Sequence, residues 1–281
     1  MFSLTVKNKY GQTLELTHNK NYTIESIEGL DPADATNNFT KNAGADGSTF
    51  NSSYIDNKQI IINVAIEGPA EANRLNLYKY FKNKYPTRLY FKNGSRDVYI
   101  DGFCKSIHIG FFDRKQIAQI VIECPDPFFI GSEEEVTEFS RIQPLFEFPF
   151  SISNPIPFSE IIANTESTII NRGDIESGCI IKLIAAGTVV NPEVINTETN
   201  QFFRIETTMS AGDEIHINTK RDQKAVELIS DGTTESIISS MDRQSTWFVL
   251  EPGDNLFAVT AESGSEYLKA RFILDSCFEG V

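Results

Sequence analysis

Apolar and polar residues alternate with a period of two along most of this chain. Phe2, Leu4 and Val6 begin the pattern, and a similar run over residues 267–274 lies near its end. Successive side chains of a β-strand point to opposite faces of its sheet, so this period is typical of strands with one buried face. Phe and Tyr, which favour strands, are also frequent, at 21 and 9 residues. The sequence therefore predicts a mainly β protein.

One helix is predicted in the first half of the chain, beginning at Gly68-Pro69 and stopped by Pro86. Proline at the first helical position gives up only an N–H that would have no partner. The residue before a proline is disfavoured in helical conformation, which ends the helix before Pro86. Apolar residues between these prolines recur at spacings of three and four, which predicts one buried face. They are Ala72, Leu75, Tyr78, Phe81 and Tyr85.

Asn93-Gly94 separates two strand-like runs directly after the helix. This dipeptide accepts the positive φ angles of tight hairpin turns, and it predicts a β-hairpin. Further alternating runs follow up to Cys124. The first domain is therefore expected to be β-rich with one packed helix.

A long polar stretch over residues 31–57 interrupts the strand pattern. It is rich in Asn, Asp, Gly, Ser and Thr, with Asp46-Gly47 inside a turn-like segment. We interpret it as a loop, and loops of this length inside compact domains are often functional. The loop is too polar for its own core and long enough to lie on a neighbouring molecule.

The length of 281 residues corresponds to about two domains. Three consecutive glutamates, Glu133-Glu134-Glu135, and four closely spaced prolines between 144 and 157 mark a junction, and such proline density favours a stiff connector. The predicted organisation is a first domain at 1–135, a proline-rich connector at 136–159 and a second domain at 160–281. Recurrent short strands and turns after residue 160 predict a β-sandwich.

Charge is distributed unevenly. The net charge is −14, which argues against binding to nucleic-acid phosphates. Residues 71–96 nevertheless carry +6, whereas residues 160–281 carry −11. One interpretation is a basic patch that docks on an acidic neighbour, and a solvated helix face explains the charges equally well. The patch residues singled out are Arg74, Lys79, Lys82, Lys84 and Arg88.

No catalytic, cofactor or metal site is predicted. His18, His108 and His216 have no metal-ligand spacing, and the four cysteines contain no C-x-x-C pair. The nucleophile and phosphate-binding motifs of common enzymes are absent from the sequence. We expect a protein that is not an enzyme, with no signal peptide and no membrane span.

Several ordered motifs resemble the distal tail protein (Dit) family of tailed bacteriophages. In the first half they are Ile27-Glu28-Gly29-Leu30-Asp31-Pro32, the Asp46-Gly47 loop and Cys124-Pro125-Asp126-Pro127-Phe128. In the second half they are Asn171-Arg172-Gly173-Asp174, Asn191-Pro192-Glu193-Val194-Ile195-Asn196 and the stretches 211–219 and 245–255. Each motif is weak alone, but they follow the family's order along nearly the whole chain.

The resemblance implies a structural protein of the virion, at the tip of the phage tail, made in the host cytoplasm. Proteins of this family form a homo-hexameric ring through their N-terminal domains. The ring joins the tail tube protein to the tail-tip hub, a tail-associated lysin or tail fibre protein. The C-terminal domain is a galectin-like β-sandwich that anchors receptor-binding or baseplate proteins. We expect this sandwich to carry no inserted module between Asn191 and Pro252.

The candidate ring interface consists of the five basic patch residues together with Asp46 and Gly47 of the polar loop. A carbohydrate-binding module that recognises the host cell wall directly remains the alternative function. Trp247, the single tryptophan, would then be the sugar contact, although packing in the core explains it better. A tail-associated hydrolase has only scattered carboxylates in its favour.

Overall fold

The computed structural model describes residues 2–44, 46–111, 113, 115–139, 142–144, 159–161 and 165–281. The chain divides into a first unit, Met1–Glu133 with Cys277–Val281, and a second unit, Glu134–Ser276. The mainly β fold is confirmed, and the described residues contain one α-helix.

The elements of the first unit surround one helix. They are β1 (Ser3–Asn8), β2 (Thr13–Glu15), β3 (Tyr22–Glu28), β4 (Ala35–Lys41), β5 (Ser48–Ile55), β6 (Lys58–Ile66), α1 (Ala70–Tyr80), β7 (Pro86–Lys92), β8 (Asp97–Ile109), β9 (Ile117–Cys124) and β10 (Phe129–Gly131).

The second unit contributes thirteen strands among the described residues. They are β11 (Glu135–Phe139), β12 (Ile142–Pro144), β13 (Ser159–Ile161), β14 (Thr165–Asn171), β15 (Cys179–Ala185), β16 (Val189–Asn196), β17 (Gln201–Arg204), β18 (Thr208–Met209), β19 (Glu214–Asn218), β20 (Ala225–Ser230), β21 (Thr233–Ser236), β22 (Gly253–Ser263) and β23 (Leu268–Leu274). Short 3₁₀ turns lie at Ile238–Ser240 and Ser265–Tyr267, and β24 (Cys277–Phe278) returns to the first unit.

The main sheet of the first unit has the strand order β2-β1-β7-β8-β9-β6-β3, with every neighbouring pair antiparallel. The period-two pattern buries one face of each strand, as Leu4 and Val6 in β1 and Ile60, Ile62 and Val64 in β6 show. These side chains form a single core with Leu77 and Phe81. The predicted hairpin at Asn93-Gly94 joins β7 to β8.

The buried face of helix α1 and its C-terminal end shares only the buried Phe81 with the predicted face. Asn73, Leu77 and Phe81 point into the core, whereas Ala72 is exposed and Leu75 is 51% exposed. Burial of an asparagine is tolerated when its polar groups are paired. The side-chain amide of Asn73 donates to the Glu67 carbonyl at 2.9 Å.

The polar stretch 31–57 is a β-hairpin rather than a loop. Strands β4 and β5 pair antiparallel, with a bulge between Asn38 and Phe39, and form a sheet of their own. Nearly every residue of both strands is exposed. Neither face of this hairpin is buried in the unit, so no hydrophobic alternation marks it in the sequence.

Two sheets of the second unit share one core, and β12 and β13 form a separate two-stranded sheet. The first has the order β11-β23-β15-β19-β20-β21, and the second has the order β14-β22-β16-β17 with β18 beside β16. Ile181 and Leu183 of the first sheet pack in the same cluster as Val194 and Phe257 of the second. This is the packing of a β-sandwich, and it is compatible with a galectin-like fold.

Every strand between Asn191 and Pro252 belongs to one of these two sheets. The described residues of this interval therefore contain no additional module. Residues 245–249, within the motif stretch 245–255, do not form a strand. That segment is held instead by a bridge between Ser177 and Leu250 and by the Thr246 amide, which donates to the Phe202 carbonyl at 2.8 Å.

The structure differs from the predicted boundaries at both ends of the second domain. Residues 136–139, placed in the connector, form most of β11 and pair with β23. Residues 277–281, placed in the second domain, belong to the first unit because β24 pairs with β10. Pairing between segments so distant in sequence leaves no local pattern. Residues 140–141 and 145–158 of the predicted connector lie outside the described residues.

Candidate assembly surface

The β4–β5 hairpin presents three large aromatic side chains to solvent. Phe39 and Phe50 are each 56% exposed, and Tyr54 is 51% exposed. Phe39 and Phe50 are register partners, and their rings meet edge to face with centroids 5.9 Å apart. Exposed apolar groups concentrated on one element commonly mark a surface for another molecule. The sequence analysis missed these aromatics because it assigned the whole stretch to a polar loop.

Side chains across the hairpin hold its two strands together. Asn51 donates to the Thr40 hydroxyl at 2.6 Å, and Asn38 donates to the Ser52 hydroxyl at 3.1 Å. Such cross-strand contacts matter because an isolated two-stranded sheet is only marginally stable in water.

Asp46 and Gly47, two predicted interface residues, lie exposed in the turn of this hairpin. Gly47 has a φ angle of +91°, which favours glycine because other residues rarely adopt it. The two residues thus lie in the connection between β4 and β5, at the end of the hairpin opposite its links to β3 and β6.

Lys79, Lys82 and Lys84 lie exposed at and just beyond the end of α1. In the part of the chain that the structure describes, no carboxylate oxygen lies within 4.0 Å of their amines. The Lys9 amine lies 3.9 Å from the ring centre of Tyr85, and the Lys82 amine lies 5.5 Å from it. Lys79, Lys82 and Lys84 are here named the basic surface. Lys9 and Tyr85 lie beside Lys82, and neither was assigned to the patch from the sequence.

Arg74 and Arg88 have other surroundings. The Arg88 guanidinium donates to both carboxylate oxygens of Asp101, at 2.7 and 2.8 Å, and lies 3.9 Å from the ring centre of Tyr99. Hydrogen bonding to Asp101 raises the pKa of Arg88. Arg74 stacks on the exposed ring of Phe111 at 4.7 Å. The predicted basic patch thus divides into three separate settings.

The acidic charge of the chain is concentrated in the second unit. The first unit has 15 Lys and Arg against 16 Asp and Glu, a net charge of −1. The second has 10 against 23, a net charge of −13. Copies of the nearly neutral first unit therefore repel one another less than copies of the acidic second unit do.

Trp247 is half-buried and packs against the core of the second unit. Its ring meets Phe203 edge to face, with centroids 5.0 Å apart, and the Lys224 amine lies 5.5 Å from it. Much of the tryptophan surface is therefore used for packing within the unit.

Burial of the cysteines gives them no reactive character. It raises the pKa of the Cys104 thiol to about 11 and those of Cys124 and Cys179 to about 12. Among the described residues, no cluster of three or more His, Cys, Asp or Glu side chains has the arrangement of a metal site. Within the same residues, no helix has the length and hydrophobicity needed to cross a membrane.

Comparison with known proteins identifies the class of this fold. Residues 172–272 match the family model of the siphovirus-type tail component, C-terminal domain. A search of the curated proteins finds no significant match. Most of the second unit is thus similar to the C-terminal domain of siphovirus-type tail components.

Solved structures share the fold along the whole chain. The Dit protein of phage SPP1, described as a paradigm of the hub adsorption apparatus in phages that infect Gram-positive hosts, superposes with a TM-score of 0.71. It is 13% identical in sequence, over 99% of both chains. A chain of the phage P2 baseplate in its activated conformation with Ca has a TM-score of 0.57 and 12% identity, over 100% of both chains. A chain of the same baseplate with Sr gives 0.55 and 12%, over 98% of both chains.

The resemblance indicated by the sequence motifs is confirmed by the family model and the shared fold. The chain shares the fold of these proteins, and residues 172–272 are similar to their C-terminal domain family.

Proposed function

We propose that this protein is a structural component of a phage tail tip that assembles into a hexameric ring. The ring would join the tail tube protein to the tail-tip hub protein, and the second unit would anchor receptor-binding or baseplate proteins. The family match over residues 172–272 and the fold shared with hub and baseplate chains support this role. The protein would be located in the virion and would act without catalysis.

The observation that carries the proposal is the exposed β4–β5 hairpin with its three aromatic residues. A ring built by head-to-tail contacts needs two different, complementary surfaces on each copy. We assign one of them to the hairpin, which has apolar rings for a neighbour to cover. Apolar contact would then provide most of the stability of the ring.

The basic surface formed by Lys79, Lys82 and Lys84 is the second proposed part of the ring interface. Exposed charges add little free energy each, about 0–1 kcal/mol, but they steer encounter and orientation. We therefore assign it a role in the rate and register of assembly. Arg74 and Arg88 remain candidates for the same interface through their flat, aromatic-stacked guanidinium groups.

The test is the mass of the purified chain in solution, measured by light scattering with and without the tail tube protein. A ring of six copies, formed alone or on the tube protein, is the expected result. A chain lacking residues 42–52, which include the hairpin turn, should form no ring at any salt concentration. A full-length chain that stays monomeric even with tube protein, or a ring unaffected by this deletion, would contradict the proposal.

Direct recognition of cell-wall carbohydrate by the second unit is not adopted. A sugar-stacking tryptophan needs an open ring face, whereas Trp247 packs on Phe203 and against the core.

A further inference from the structure

Residues 277–281, here named the return segment, lie in the first unit although they follow the second in sequence. Phe278 and Cys277 pair antiparallel with Phe129 and Ile130, so that β24 extends the sheet beyond β10. The backbone of the segment then passes close to Leu30 and Pro32, which precede the β4–β5 hairpin.

Two connections join this hairpin to the main sheet, and together they are named the hairpin root. One is residues 29–34, between β3 and β4, and the other is residues 56–58, between β5 and the first residue of β6. The hairpin itself makes its own sheet, so its attachment to the unit depends on the root.

Lys58 of the root is only 4% exposed, which is unusual for a lysine. Its amine donates to the Asp31 carbonyl at 2.9 Å and to the Glu279 carbonyl at 3.0 Å. It also lies 4.5 Å from the ring centre of Phe129. A buried ammonium group must be paired to be tolerated, and one of its two carbonyl partners is supplied by the return segment.

Three further contacts join the return segment to its surroundings. The Val281 amide donates to the Leu30 carbonyl at 3.1 Å. Arg96 donates to the Gly280 carbonyl, and its guanidinium lies 4.8 Å from the ring centre of Phe278. A Cβ atom on Gly280 would lie 3.0 Å from the Leu30 carbonyl oxygen, so a side chain at this position would crowd Leu30.

We propose that the return segment holds the hairpin root in place through Lys58 and Leu30, and thereby orders the β4–β5 hairpin. Lys58 is a positioning residue in this arrangement, since it links the two connections of the root to the segment. The chain segment that follows the second unit thus controls the element with which the first unit would contact its neighbour. This last consequence rests on the proposed ring.

Hydrogen exchange followed by mass spectrometry tests the proposal on two variants of the full chain. One lacks residues 277–281, and the other carries Lys58→Met, which keeps an unbranched side chain one atom shorter and removes the ammonium. Lys20→Met, at an exposed site, is the matched control. We expect exchange in peptides covering 29–34 and 56–58 to rise about tenfold or more, with β7 unchanged, because only local opening is promoted.

Unchanged exchange in the root would overturn the proposal, and so would an equal rise in β7, since that would mean a general loss of stability. If the deletion fails to fold, Lys58→Met decides the question alone. Ring formation is measured separately by light scattering. A selective rise in root exchange in a chain that never forms rings would contradict the proposed function and leave the role of the return segment standing.

Discussion

Arg88 and Asp101 are register partners on β7 and β8, and their side chains form a two-pronged ion pair on the outer face of the first unit's sheet. The Tyr99 ring lies against the guanidinium, with its centre 3.9 Å from the Arg88 Cζ atom, so three side chains of two neighbouring strands are in contact. Both partners are partly exposed, at 36% and 53% of the side-chain surface.

This ion pair should contribute modestly to stability. We expect Arg88→Ala and Asp101→Ala each to lower the free energy of unfolding by about 0.5–1 kcal/mol, because an exposed pair with good geometry is worth that much. The double variant should lose less than the sum of the two, and urea denaturation of all four proteins measures the coupling. Strict additivity would show that the pair contributes nothing.

Phe39 and Phe50 should serve assembly rather than folding. Their combined change to serine should leave the melting temperature of the monomer nearly unchanged, because both rings are exposed. Ring formation should weaken at both low and high salt, since apolar contact is not screened. Asn37→Ala with Ser53→Ala, another register pair of the hairpin, is the control. Light scattering that finds normal rings for the serine variant would refute this role.

Charge reversal at the basic surface should affect assembly only at low salt. We expect Lys79, Lys82 and Lys84 changed together to glutamate to slow ring formation at low ionic strength, with a smaller effect at high salt. Circular dichroism should show a folded monomer, because the three side chains are exposed. Lys20→Glu provides a single exposed control. An unchanged association rate at low salt would exclude this surface from the interface.

Trp247→Ala should destabilise the second unit without removing a binding activity. Loss of a half-buried ring that packs on Phe203 should lower the free energy of unfolding by about 2–3 kcal/mol, below the cost of a fully buried tryptophan. Val249→Ala, an exposed change in the same segment, should cost much less. On a glycan array we expect no binding by the unaltered chain. Sugar binding that disappears in Trp247→Ala would instead support the carbohydrate-binding alternative.

The buried thiol of Cys179 should destabilise the second unit at alkaline pH. Burial raises its pKa from 9.0 to about 12, so the folded state keeps the proton while the unfolded state releases it. Stability from this group is therefore complete below pH 9 and is lost as the pH rises towards 12. Urea denaturation across this range should show a smaller alkaline loss for Cys179→Ala. Parallel losses in both proteins would contradict this assignment.

Several features of the fold could be predicted because their signals are local. Alternation located β1 and β23, since one buried face is enough to impose a period of two. Asn93-Gly94 located the β7–β8 hairpin, although neither residue has the positive φ angle on which the prediction rested. The Asn93 side chain instead accepts hydrogen bonds from the Ser95 and Arg96 amides. The ordered motifs indicated the resemblance to the distal tail protein family. The roles of the candidate interface residues stay predictions.

Other features depend on residues far apart in sequence. The buried face of α1 was predicted wrongly, because Asn73 is buried through a hydrogen bond to Glu67 and apolar spacing alone favoured Leu75. The β4–β5 hairpin was taken for a loop, since strands without a buried face have no hydrophobic period. Arg88 looked like part of a free basic patch until its register partner, Asp101, was placed beside it.

The sequence by itself thus determined the strand-rich character of the chain and the positions of strands whose buried face imposes a period of two. Only the tertiary structure decided which segments pair, as when Glu279 reaches Lys58 across 221 positions of sequence. The physical reason is that a strand's period reflects its own two faces, whereas its partner is selected by the packing and hydrogen bonding of the whole unit.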